Sequence, residues 1–247
     1  MASTRPKGKV YLIGAGPGAT DLITVRGARL LAQADVVLYD ALVTPDMLEL
    51  CPQAEKIAVG KRSGQRSTAQ DVINALLVES AGKYHMVVRL KGGDPMLFGR
   101  ADEELSALEA AGIDVDIVPG ITTAFAAAAA TRQPLTKRGV ARSVAFFTSS
   151  TAPEQADLSA LPHTDTMIQY MGGREAIATA ERMLAQGRSA DTPVVIIENC
   201  SRDNEHITRM TLAGLAHGLA PAHGPVLVMI GEALRMREHQ PRDSQRP

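Results

Sequence analysis

The chain has 247 residues, 26 Lys and Arg against 27 Asp and Glu for a net charge of −1, and 45% hydrophobic residues with 3% aromatics and no tryptophan. That length suits one large domain or two of about 100 to 150 residues, and the balanced charge excludes a global attraction to nucleic acid or an anionic membrane, so any anion site is local. Scarce aromatics argue against stacking platforms for single-stranded nucleic acid, and no apolar run approaches the roughly 20 residues that span a bilayer.

The first residues, MASTRPKGK, lack the apolar core of a signal peptide and predict a cytoplasmic chain. Cys51 and Cys200 are then expected to stay reduced, and neither they nor the scattered histidines have metal-ligand spacing, so no metal is expected. Next comes KVYLI, an apolar strand running into GAGPG. Gly14, Gly16 and Gly18 alternate, whereas a dinucleotide loop reads GxGxxG, and Pro17 lacks the N–H such a loop offers to phosphate. Asp40, ending the strand DVVLYD 22 residues past Gly18, stands where a ribose-binding acid would, which keeps a nicotinamide-dependent oxidoreductase as an alternative.

Helical spacing over Leu22 to Ala34 predicts a covering helix, and QDVINALLVESAG, entered through Ser67 and Gln70 in capping-box spacing, predicts another. Between and after them KIAVG, YHMVVRLKGG and DVDIVPG read as strands, and ADEELSALEAAG as a helix with first-turn acids suited to the helix dipole. Thr122 to Pro134, with five consecutive alanines, predicts a packing helix stopped by proline. A second series follows PLTKRG: RSVAFFTSS, DTMIQYMGG, TPVVIIENC, HITRMTL and GPVLVMIGEAL as strands, with REAIATAERMLAQG as a helix. Alternating strands and helices imply sheets flanked by helices. The expected organisation is an N-terminal α/β domain over 9–137, a C-terminal α/β domain over 138–236 and a disordered tail over 237–247.

Loops at the carboxyl ends of parallel strands line one crevice, so GAGPG, YDALV, VGKR, KGGDP and PGITT are expected to converge. Within RLKGGDPMLFGRADEE, Met96, Leu97 and Phe98 form an apolar patch in a loop, and Asp94 is placed to accept hydrogen bonds. Read alone, Gly-Gly-Asp-Pro is also an ordinary turn, Thr122 and Thr123 are helix caps, Asp40 caps its own turn and Lys61 is a solvated charge.

Together, VYLIGAGPGATDLITVRGARLLAQADVVLYDALV, VGKRSG, RLKGGDPMLFGR, VPGITTAFAAAA, QYMGG and TPVVIIENC resemble the tetrapyrrole methylases across about Val10 to Leu234. LYDALV with VGKR resembles the members that methylate uroporphyrinogen III more than those acting on later precorrins. The resemblance implies a two-domain, homodimeric α/β methyltransferase (class III) with mostly parallel or mixed sheets, binding S-adenosylmethionine between its domains. It implies C-methylation of the tetrapyrrole at two pyrrole carbons, giving precorrin-2 through precorrin-1, for sirohaem or cobalamin. The cofactor-binding positions it implies are Pro17, Gly92, Gly93, Asp94, Leu97, Thr122, Thr123, Met171 and Cys200, with Asp40 and Lys61 as the proton-transfer pair. An eight-carboxylate substrate needs cations, for which Lys61, Arg62, Arg66, Arg89, Lys91, Arg100, Lys137 and Arg138 are candidates.

This chain departs from the family pattern at Arg66, Lys137 and Ser150, where histidine is usual, and at Cys200, where glycine is usual in ENGT. Another precorrin methylase and a weakly active tetrapyrrole-binding paralogue are therefore the alternatives within the fold.

Overall fold

The computed structural model describes residues 7–60, 70–149 and 161–236. It forms two compact units, Met1–Thr123 and Ala124–Pro247.

The first unit is built on five parallel strands: β1 (Lys9–Gly14), β2 (Val36–Tyr39), β3 (Glu55–Ala58), β4 (Met86–Lys91) and β5 (Val115–Val118), in the order β3-β2-β4-β1-β5. Helices cover both faces, so its central strands are largely apolar on both sides, with Arg89 and Lys91 of β4 as the exceptions. Val10, Leu12, Val36, Leu38 and Val87 pack against Ile73 and Leu77 of α3 (Gln70–Lys83) and Leu108 of α4 (Ala101–Ala110). Ile13, Val37, Val88 and Leu90 pack on the other face against Leu31 of α1 (Val25–Leu31) and Met47 of α2 (Pro45–Leu48). The helix expected over Leu22 to Ala34 is shorter because Thr20–Leu22 forms a 3-10 turn and Thr24 caps α1, its Oγ1 accepting from Gly27 N at 3.1 Å.

The second unit holds α5 (Thr123–Thr131) and a mixed sheet in the order β6-β7-β10-β8-β9: β6 (Val144–Thr148), β7 (Thr166–Tyr170), β8 (Pro193–Glu198), β9 (His206–Thr211) and β10 (Val226–Gly231). Only β6 and β7 run parallel; the other pairs are antiparallel. On one face Phe147, Met167, Val194, Val228 and Ile230 pack against Ala176, Ala180 and Met183 of α6 (Gly172–Ala185) and Leu212 and Leu215 of α7 (Leu212–His217). The opposite face carries Phe146, edge-on to Phe125 and to Tyr170 with ring centroids 6.1 Å apart in each case.

The unit boundary lies between Thr123 and Ala124, earlier than the position near Lys137 that PLTKRG suggested. The alanine helix is tied into the second unit: Ala124 N donates to Tyr170 Oη at 3.3 Å, and Gln133 beyond its end donates to the Leu234 carbonyl and accepts from Arg209. Among the described residues no helix is long and apolar enough to cross a membrane.

Candidate functional site

Three loops at the carboxyl edge of the first sheet meet through bare backbone. Gly16 and Gly93 form an antiparallel bridge, with Gly93 N donating to Gly16 O at 2.7 Å and Gly16 N to Gly93 O at 3.2 Å; Ala15 N donates to Lys91 O at 2.7 Å. A Cβ on Gly14 would stand 2.6 Å from both the Gly120 Cα and the Gly93 carbonyl oxygen, and one on Gly120 would overlap that same oxygen. No side chain fits at Gly14 or Gly120, so one glycine of GAGPG and the glycine of PGITT are required by the close approach of these backbones to the Gly93 carbonyl. Gly93 itself has φ +68° and open space where its Cβ would be.

Asp94 fastens this junction. Its Oδ2 accepts from Gly120 N at 2.9 Å, across to the third loop, and its Oδ1 accepts from Met96 N at 2.8 Å. Pro17 is buried, Gly92 and Leu97 are half-buried, Thr122 is buried, and Thr123 opens α5. The structure thus brings Pro17, Gly92, Gly93 and Asp94 together. The first loop leads into a 3-10 turn instead of a helix, and the Ala15 and Gly16 N–H groups are already used between loops. It has none of the helix-terminus geometry that cradles a pyrophosphate.

Beside the junction lies a buried set of charges that the sequence reading only half identified. Arg89 and Lys91 alternate along β4, so both face α4, whose Glu104 is fully buried. Glu104 accepts from Arg89 Nε at 2.9 Å and from Lys91 Nζ at 2.8 Å. Register places Leu38 of β2 beside Arg89, and Asp40, two residues on, turns to the same face and accepts from Arg89 Nη2 at 2.5 Å. Burial, and then the adjacent guanidinium, push the Lys91 ammonium below the ordinary lysine range, with Glu104 opposing.

Arg89 and Lys91, expected in a solvent-facing cationic rim, are therefore corrected to internal cations: their side chains are 3% exposed and spent on Glu104 and Asp40. In the sequence Glu104 is only one of three acids in the first turn of its helix. The available signal was two cations at i and i+2 in an otherwise apolar strand, which demands a buried anion. Arg100 is exposed, left-handed at φ 53°, and paired with Glu103 at 2.7 Å. Lys61, Arg62, Arg66 and Ser150 lie outside the described residues.

In the second unit, Met171 caps α6 with φ 57° and is half exposed. Lys137 and Arg138 are exposed on a tight turn closed by the Lys137–Ala141 bridge. Cys200 sits between Asn199 (φ 53°) and Ser201 (φ 61°), while its own φ is not left-handed, so no backbone strain demands glycine there. The thiol is buried, and burial followed by the neighbouring Glu205 carboxylate pushes its pKa up to about 12.

Comparisons with known proteins agree on one family. The family model of the tetrapyrrole (corrin/porphyrin) methylases matches residues 9–216. The siroheme synthase of Pseudomonas fluorescens is 45% identical over 237 residues, 94% of this chain, and siroheme synthase 1 of Yersinia pseudotuberculosis is 45% identical over 240 residues, 96% of it. The chain spans about half the length of these curated relatives, 51% of each. Among solved structures, uroporphyrin III C-methyltransferase from Thermus thermophilus superposes with TM-score 0.84 at 36% identity, covering 96% of this chain and 98% of that one. A structure of that enzyme complexed with S-adenosylhomocysteine gives 0.81 at 37% identity, covering 92% and 94%.

Proposed function

This chain belongs to the tetrapyrrole (corrin/porphyrin) methylase family, and from that premise we propose that it is an S-adenosylmethionine-dependent C-methyltransferase acting on uroporphyrinogen III. It methylates two pyrrole carbons in succession, giving precorrin-1 and then precorrin-2. The observation that carries the reading is the glycine junction: backbone from three loops packed without side chains, with open space at Gly93. Such a surface lets a ligand approach the chain closely, and it suits a cofactor with no pyrophosphate to neutralise. The relatives' names support the sirohaem branch.

When bound, the cofactor's sulfonium supplies an activated methyl group: the bond from a pyrrole carbon to the methyl forms as the sulfur–carbon bond breaks, and the sulfur keeps the electron pair. Pro17, Gly92, Gly93, Asp94, Leu97, Thr122, Thr123, Met171 and Cys200 would hold the donor, and orientation by these groups supplies most of the rate. Methylation leaves a positive charge on the macrocycle, which is discharged by loss of a proton. Asp40 is the group we assign to that transfer, with Lys61 as its partner. Arg100, Lys137 and Arg138, together with Arg62 and Arg66, would meet the substrate's carboxylates. The protein acts as a homodimer in the cytoplasm in this reading.

Incubation with methyl-labelled S-adenosylmethionine and uroporphyrinogen III, followed by mass analysis of the macrocycle, tests the assignment. Two labelled methyl groups on carbon support it. An unmodified macrocycle, or calorimetry showing NAD bound and S-adenosylhomocysteine not bound, overturns it.

A further inference from the structure

Cations inside a parallel sheet need a reason, because taking an ion out of water is costly and pairing offsets that cost only when the geometry is good and the remaining donors are hydrogen-bonded. Arg89 is the junction of the buried set. Its Nε is held by Glu104 at 2.9 Å, its Nη2 meets Asp40 Oδ1 at 2.5 Å, and its Nη1 faces the carbonyls of Leu38 and Leu90 at 3.5 and 3.4 Å. Glu104 is itself clamped: its second oxygen takes Lys91 Nζ at 2.8 Å, and Gln70 Nε2 approaches the first at 3.5 Å. Two cations and two anions balance, so the guanidinium is neutralised and fixed in position. Asp40 alone in the set reaches solvent, its side chain 28% exposed, and no hydrogen bond from a described residue reaches its Oδ2.

We propose that Arg89, anchored by Glu104, is a positioning residue that presents the Asp40 carboxylate, holding one of its oxygens while the side chain stays partly open to solvent. The inference rests on Asp40 as the proton-transfer group of the proposed methyltransferase. Arginine is needed for the geometry: its planar fork bridges carboxylates on α4 and at the end of β2 at once, whereas a lysine ammonium is a single point on a flexible stem. Only tertiary structure makes the arrangement, since Asp40 and Arg89 are 49 residues apart in the chain.

A double-mutant cycle on the full-length protein tests it, using Arg89→Lys, Asp40→Asn and the double variant, with kcat, KM for both substrates, S-adenosylhomocysteine affinity and melting temperature measured on each. Asp40→Asn is expected to lose roughly a hundredfold in kcat. Arg89→Lys is expected to lose roughly tenfold or more, with both KM values and the cofactor affinity within about twofold of wild type. The double variant should lose no more than Asp40→Asn alone, because Arg89 acts through Asp40. Additive losses, an unchanged kcat in folded Arg89→Lys, or a loss that follows cofactor affinity and melting temperature overturns the inference. Should Arg89→Lys not fold, Arg89→Gln with Glu104→Gln removes one cation and one anion together and takes its place in the cycle. A wild-type protein that transfers no methyl group defeats the underlying activity, whereas an active wild type with an active Asp40→Asn defeats only Asp40's role and this inference.

Discussion

Replacing Asp94 by alanine removes both oxygens that tie the KGGDP loop to itself and to Gly120. The two acceptor contacts, 2.8 Å to Met96 N and 2.9 Å to Gly120 N, are charge-assisted, and such bonds contribute about 1.5 to 3 kcal/mol each. Met96 is exposed and water will replace its lost acceptor, so that bond counts for little; Gly120 is half-buried at a backbone contact, and its N–H is left poorly satisfied. The expected loss is about 2 to 4 kcal/mol, which at roughly 2 to 4 °C per kcal/mol for a chain of this size lowers the melting temperature by about 5 to 15 °C. Asp94→Asn keeps one acceptor oxygen and should fall between. The junction also carries the proposed cofactor surface, so S-adenosylhomocysteine affinity should drop by roughly tenfold, or about 1.4 kcal/mol. Differential scanning calorimetry and isothermal titration on one preparation give both numbers. An Asp94→Ala protein that melts within about 1 °C of wild type while losing affinity refutes the loop-tying argument and moves the carboxylate onto the ligand.

Gly120→Ala should be more damaging, because the added methyl overlaps the Gly93 carbonyl and approaches Gly14 Cα at 2.8 Å; a loss above about 3 kcal/mol is expected in chemical denaturation, and a near-wild-type midpoint would show that the loops separate easily. Glu104→Gln strips the shared anion from Arg89 and Lys91 and should cost about 3 to 5 kcal/mol in the same assay, with an unchanged midpoint counting against the buried pairing. Cys200, with its folded pKa raised to about 12, adds stability that is complete below the ordinary thiol range and is lost as pH rises through about 9 to 12, since the unfolded thiol ionises first. Native protein should therefore resist iodoacetamide at Cys200 near pH 8, and Cys200→Ala should flatten the alkaline fall in melting temperature; rapid native alkylation at that site would contradict the buried thiol. Cys200→Gly removes the side chain proposed to meet the cofactor, and an unchanged S-adenosylhomocysteine affinity would exclude that contact.

The sequence by itself determined the alternation of strands and helices and the presence of two α/β units, because hydrophobic period and turn residues are local properties; of the five loops expected to converge, the structure joins GAGPG, KGGDP and PGITT. It also weighed against a dinucleotide loop, since the spacing around Gly14, Gly16 and Gly18 departs from GxGxxG, while Asp40 kept that alternative open. It could not decide which side of the boundary the alanine helix joins, because that depends on Tyr170, Phe146 and Leu234, all distant in the chain. Nor could it tell an internal cation from a rim cation. Arg89 and Lys91 read as charges that could face a substrate, and only the strand order β3-β2-β4-β1-β5 with α4 laid over that face supplies Asp40 and Glu104 as their partners. Charge is written in the sequence, but its solvation is set by what the tertiary structure packs around it.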